Sequence, residues 1–175
     1  FTHDDSLAPF IEVYERETDR GCAILAGVLL DSLLEKLLRK VMLQSTPNEL
    51  FEGYGPLSSF SAKIDLVHYL GLISKGECRE LHRIRKIRND FAHSVDHSLS
   101  FENRSISDHV RQLQLRGATI LKDEKPCRLR MEFTISVAIM TGFLISNIKG
   151  TSKNPPTLTS EQKSRTNSHA PIRLL

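Results

Sequence analysis

The sequence has few cysteines, no strong excess of charge of one sign, and no apolar run in its first half long enough for a bilayer. Cys22, Cys78 and Cys127 are the three thiols. They are odd in number, far apart and without a CxxC pair, so neither a disulfide framework nor a zinc site is expected and a reducing cytoplasm is the expected compartment. His3, His97, His109 and His169 show no metal-ligand spacing; no metal and no cofactor are expected. The densest apolar run, CAILAGVLL at residues 22–30, is closed off by Arg20 and Asp31. That is about half of the roughly 20 residues a membrane-spanning helix needs, so it reads as a buried helix and no membrane association is expected. No secretory signal pattern is visible.

Net charge is +3 over 175 residues, too mild to define a nucleic-acid binder. Its distribution says more. Arg79, Arg83, Arg85, Lys86 and Arg88 crowd into ten residues, whereas Asp19, Asp31, Glu35 and Glu49 are spread out. Familiar enzyme signatures are missing too. Gly53 and Gly55 lack the Lys-Ser/Thr of a phosphate-binding loop. Ser58, Ser59 and Ser61 precede His68 without a G-x-S-x-G elbow, so helix capping explains them better than nucleophilic chemistry.

With 39% hydrophobic and 26% charged residues, the chain can bury one real core. The expected fold is all-α: a single bundle of about four to five helices over residues 1–149 and an irregular, low-complexity tail over 150–175. Residues 8–43 read as one long helix or two in tandem, with Ile24, Val28, Leu34, Leu37, Leu38 and Val41 recurring at helical spacing. Gly27, inside this run, marks close helix packing rather than a break, because a helical glycine costs about 1 kcal/mol relative to alanine. Pro47, Gly53, Gly55 and Pro56 then make a loop. Ser58 or Ser59 caps a helix that stops near Gly71, and the S-x-x-E pair Ser74/Glu77 opens another that runs to about Ser94. The polar stretch 96–125 allows a short helix near 107–116. After Pro126, about twenty residues that are apolar almost all round read as a buried helix. The tail has few apolar residues and three prolines among its last 26, and is expected to order only on a protein partner.

The helix over about 77–95 carries the functional question. At 100° per residue, Leu81, Ile84, Ile87, Phe91 and Val95 share one arc, Arg88 falls on its flank beside Ala92, and His82, Asn89 and His93 fall together nearly opposite. One reading is plain: Arg88 lies beside the core and the rest is a wet, basic face. The spacing of arginine to histidine is cheap, since Arg104 and His109 repeat it outside any strong helix. The other reading is a site for phosphodiester chemistry. Asn89 and His93 stand four apart, His93 is near a helix C-terminus whose dipole favours imidazolium, an imidazole can move the proton of a ribose hydroxyl, and a guanidinium can neutralise phosphate.

RNDFAH at 88–93 resembles the Arg-Asn-x-x-x-His signature of the HEPN superfamily, helical-bundle proteins that include metal-independent ribonucleases and silent relatives. GYGPLSSFSAKIDLVHYLGLISKGECRELHRIRKIRNDFAH at 53–93 resembles the central block of the mannitol-repressor family, with its Gly-Pro-Leu turn and Leu-Gly-x-Ile junction. The first resemblance implies catalysis: Arg88 on the scissile phosphate, His93 as general acid or base, Asn89 holding the geometry, and Arg85 and Lys86 drawing in RNA beside a groove shared by a homodimer, in a toxin or a regulator. The second implies a non-catalytic regulator of transcription that binds protein or DNA. DNA is the weaker partner, because the Gly71 junction is the nearest approach to a helix-turn-helix and such helix pairs are common in bundles.

Overall fold

The structure, a computed structural model, describes residues 16–42, 47–115 and 128–151. Five α-helices lie among them, in the order α1 (Asp19–Val41), α2 (Phe60–Tyr69), α3 (Lys75–His93), α4 (Arg104–Arg111) and α5 (Arg128–Gly150). A short 3-10 turn at Asn48–Leu50 lies in the loop before α2. The described part is thus all-helical, as the periodicity requires. The tail from 152 onward, residues 8–15 of the first expected helix, and Cys127 lie outside the described residues.

The helix starts follow from side chains that satisfy otherwise orphaned N–H groups. Thr18 Oγ1 accepts from Gly21 N at 3.0 Å, and Ser59 Oγ accepts from Ala62 N at 3.1 Å. At α3 the capping box is complete: Ser74 Oγ accepts from Glu77 N at 3.2 Å and the Glu77 carboxylate accepts from Ser74 N at 2.6 Å. The stop of α2 is set by Gly71 at φ +71°, a conformation glycine adopts without a Cβ penalty. There Gly71 N donates to His68 O and Leu72 N to Val67 O.

α1 is the central strut, packed by α2, α3 and α5, while α3 also meets α2 and α4, and α4 meets α5. Leu30, Leu34, Leu37 and Leu38 of α1, Ile64 and Val67 of α2, Leu81, Ile84, Ile87 and Phe91 of α3, and Phe133, Val137, Met140 and Leu144 of α5 are all fully buried. Phe101, in the segment after α3, bridges two helices: its ring centroid is 5.0 Å from Phe91 and 5.0 Å from Phe133. Each such pair adds about 0.5–1.5 kcal/mol beyond area burial.

Several sequence expectations change. Val28 is 56% exposed; the true inner face of α1 runs through Cys22, Ala23, Ala26, Gly27 and Leu30, small residues whose close packing a count of large aliphatics underrates. Val95 is 91% exposed because α3 ends at His93. The short helix falls at Arg104–Arg111 rather than 107–116, held by Ile106 and Val110 in the core, so Arg104 and His109 are helical after all. α5 is buried along one face only; Met131 and Phe143 stay 37% and 42% exposed. By length and composition α5 would also suit a membrane span.

Three charged side chains are buried among the described residues, Lys63, Glu80 and Glu132, and the first two tie elements together. Lys63, 2% exposed, donates to Asp31 Oδ2 at 2.9 Å and Glu35 Oε2 at 3.2 Å, clamping α2 to α1. Burial works against ionisation of Glu35, but the hydrogen bonds from Arg39 and Lys63 hold its carboxyl below the usual range. Glu80, 1% exposed, accepts from Gln114 N at 3.1 Å and Leu115 N at 3.0 Å, tying the segment after α4 to α3.

Candidate functional site: the basic face of α3

The outward side of α3 forms an open groove of about 450 Å³ lined by His82, Arg83, Arg85, Lys86, Asn89 and Asp90, with His109 of α4 and Gln112 just after that helix along one wall. Alternation of inward aliphatics with outward cations builds this face; Ile106 and Val110, buried in the core, hold α4 beside it, and His109 Nε2 comes within 3.6 Å of Asp90 Oδ2. Three cations, Arg83, Arg85 and Lys86, face a single carboxylate, Asp90, among the lining residues, and Arg83 is also 3.6 Å from the buried Glu80 carboxylate. Arg85 Nε is buried and meets no hydrogen-bond partner. The groove is therefore suited to a negatively charged surface.

The residues named from the motif are distributed around this face. Arg85, Lys86 and Asn89 line the groove. Arg88 does not; its side chain lies over α1, where a Cβ built on Gly27 would stand 2.8 Å from Arg88 Cγ. Gly27 thus provides the close approach expected of it. Arg88 Nη1 donates to Asn89 Oδ1 at 2.9 Å, while Arg88 Nε is buried without a partner. His93 is exposed at the last residue of α3, about 140° around the helix from Arg88 at 100° per residue.

The chain beyond His93 is held in place. Arg20 Nη2 donates to Asp96 O at 2.7 Å, and Phe101 N donates to Asp19 Oδ2 at 3.0 Å. Hydrogen bonds from Ser98 to the Asp96 carboxylate keep that group below the usual carboxylate range. The end of α3 is consequently moored to the start of α1. His82, Arg83 and His109 also line the groove; the basic run and the helical projection already place Arg83 and His82 on this helix, whereas His109 needs the position of α4.

A helical bundle centred on one long helix, with a basic outer face, defines the class of protein. The family model "Mannitol repressor" matches residues 13–131, more than half of the 175, and the chain belongs to the mannitol repressor family. Among solved structures, the X-ray structure of the MtlR-HPr complex from Escherichia coli is similar, with 20% identity, a TM-score of 0.56, and coverage of 81% of this chain and 97% of that one. At that identity the likeness speaks for the fold. No curated protein matches.

Proposed function

We propose that this chain is a non-catalytic regulator of the mannitol-repressor type that works by binding a protein partner on the basic face of α3. The carrying observation is the separation of Arg88 from His93. Arg88 is committed to Gly27 and Asn89, and His93 stands exposed at the helix end, so one protomer offers no clamp that holds a phosphate between the two. The groove supplies what a docking face needs instead: fixed cations on a rigid helix with few acids to oppose them. The similar MtlR was captured in a complex with HPr, which supports a protein as the partner class.

The test is calorimetric titration of the full chain with HPr from the same organism. The double variant Arg85→Glu/Lys86→Glu is expected to abolish the heat of binding without lowering Tm, and His93→Ala to leave it unchanged. A regulatory phenotype that tracks His93 alone overturns the proposal.

A second reading rests on the intact Arg88, Asn89, His93 set beside a basic groove. Two copies of α3 across a two-fold axis would bring two such sets together, as an isologous interface allows, giving an HEPN-type, metal-independent ribonuclease. Purified protein incubated with RNA in EDTA then leaves 2′,3′-cyclic phosphate ends, and His93→Ala abolishes the cleavage. RNA left intact by folded dimer removes this reading.

A further inference from the structure

Three different metal-binding chemistries converge where α2 meets α3. Cys78 and His82 stand four residues apart on α3 and so share a side of the helix; Asp65 comes from the facing side of α2. One ligand atom from each, the Cys78 thiol, a His82 ring nitrogen and an Asp65 carboxylate oxygen, lies within 4.8 Å of the others. His82 Nε2 is already 3.0 Å from Asp65 Oδ1. With metal–ligand bonds of about 2.0–2.3 Å, a tetrahedral ion separates its donors by roughly 3.3–3.7 Å. The Asp65 and His82 side chains are 50% and 30% exposed and are free to close that gap by small torsional changes, whereas Cys78 is buried and supplies the fixed point.

We propose that Asp65, Cys78 and His82 form a binding site for a divalent, borderline-soft metal ion, zinc by the chemistry of the donors, that pins α2 to α3. Thiolate and imidazole together select zinc over magnesium or calcium, which prefer all-oxygen shells. On binding, the sulfur–metal bond forms as the thiol proton leaves to solvent, so the ion carries one thiolate, one carboxylate and one neutral imidazole. Three protein donors leave a fourth position open, as in zinc sites that take water or an external ligand. His82 also lines the basic groove, which places this site on the groove's rim. The inference is independent of the partner-binding reading, since it concerns the chain alone.

The sequence hid this site for a simple reason. Cys78 and His82 have helical rather than loop-type spacing, and the third donor lies 13 residues earlier in the chain. Only the packing of α2 on α3 brings it into range.

The experiment uses the full, metal-free chain. Adding Co²⁺ is expected to give the intense visible bands of a four-coordinate ion and a near-ultraviolet thiolate-to-cobalt charge-transfer band, both bleached by one equivalent of Zn²⁺. The charge-transfer band disappears in Cys78→Ser. In His82→Gln and Asp65→Asn, Zn²⁺ affinity measured by competition with a chromophoric chelator falls at least about tenfold, the lower end of what losing a residue that merely supports a metal ligand costs. Circular dichroism confirms that each variant is folded, and the two half-exposed positions keep the test decisive if Cys78→Ser is not. No charge-transfer band in the native chain, or a band that survives in folded Cys78→Ser, overturns the proposal. So does unchanged Zn²⁺ affinity in both other variants.

Discussion

Arg88 lies across Gly27, with the Arg88 Cγ atom 2.8 Å from where a Gly27 Cβ would be. The contact joins the only motif residue that faces inward to the one helical glycine of α1 that is buried, and it decides how closely α3 can approach α1. A larger side chain at position 27 must push Arg88 aside. Gly27→Leu is therefore expected to lower stability by about 1–3 kcal/mol in urea titration, the usual cost of overpacking. In an Arg88→Ala background that cost should shrink by more than about 0.5 kcal/mol, the limit for independent sites. Strict additivity of the two changes removes the contact from the account.

The two faces of α3 should respond in opposite ways. Phe91 is fully buried against Phe101, so Phe91→Ala is expected to cost about 3–5 kcal/mol. His93 is exposed, and His93→Ala should stay within about 0.5 kcal/mol. Denaturant midpoints at neutral pH check both, and the reverse order would mean that α3 is rotated.

These contrasts show what could be read in the sequence. Leu81, Ile84, Ile87 and Phe91 repeat at helical spacing and occur in the core as the spacing demands; Ser59, Ser74 and Glu77 cap helices through local hydrogen bonds, which depend only on neighbours in the chain. Val28 and Val95 were misplaced for non-local reasons. The inner face of α1 is set by how closely α3 can approach Gly27, and the end of α3 by loop contacts such as Arg20 to Asp96. Lys63 and Glu80 look like surface charges in one dimension, because their hydrogen-bond partners lie 28 or more residues away. The groove was half legible for the same reason: Arg85 and Lys86 come from one helix, but His109 joins them through tertiary packing.

Glu80 gives a local test of such a long-range tie. Its carboxylate takes both the Gln114 and Leu115 N–H groups. Glu80→Ala removes this acceptor from an exposed Gln114 and a half-buried Leu115, and each lost hydrogen bond costs about 0.5–1.5 kcal/mol. Hydrogen exchange is expected to accelerate first at residues 113–115, ahead of the middle of α3. Uniform acceleration across the bundle would show that the tie is not local.

The Lys63 clamp makes stability depend on pH. Because the hydrogen bonds from Arg39 and Lys63 outweigh burial, Glu35 is held below its ordinary value of 4.5. A carboxyl depressed in the folded state contributes stability that is present above the unfolded value and lost as pH falls through the folded one. Acidification from pH 7 should therefore leave this contribution intact down to about the ordinary carboxylate range and remove it below that. In Glu35→Gln the acid limb of a Tm-against-pH curve should be shallower. An unchanged limb would assign the acid sensitivity to other carboxylates.

The last expectation concerns assembly, on which the RNA reading depends. Arg88 and His93 of one protomer lie on different sides of α3, so a phosphate and its attacking hydroxyl cannot be gripped by one pair. A two-fold axis near residues 82–93 would bring His93, Arg85 and Lys86 of both chains beside the same backbone, and Arg88 would have to leave Gly27 to join them. Such a face attracts polyanions with an affinity that falls as salt rises. On the RNA reading, light scattering gives a homodimer at micromolar concentration, and Lys86→Glu, which places an acid on the shared face, weakens RNA retention without unfolding the chain. A strict monomer, with or without RNA, removes the composite site and leaves docking of a protein partner as the use of the basic face.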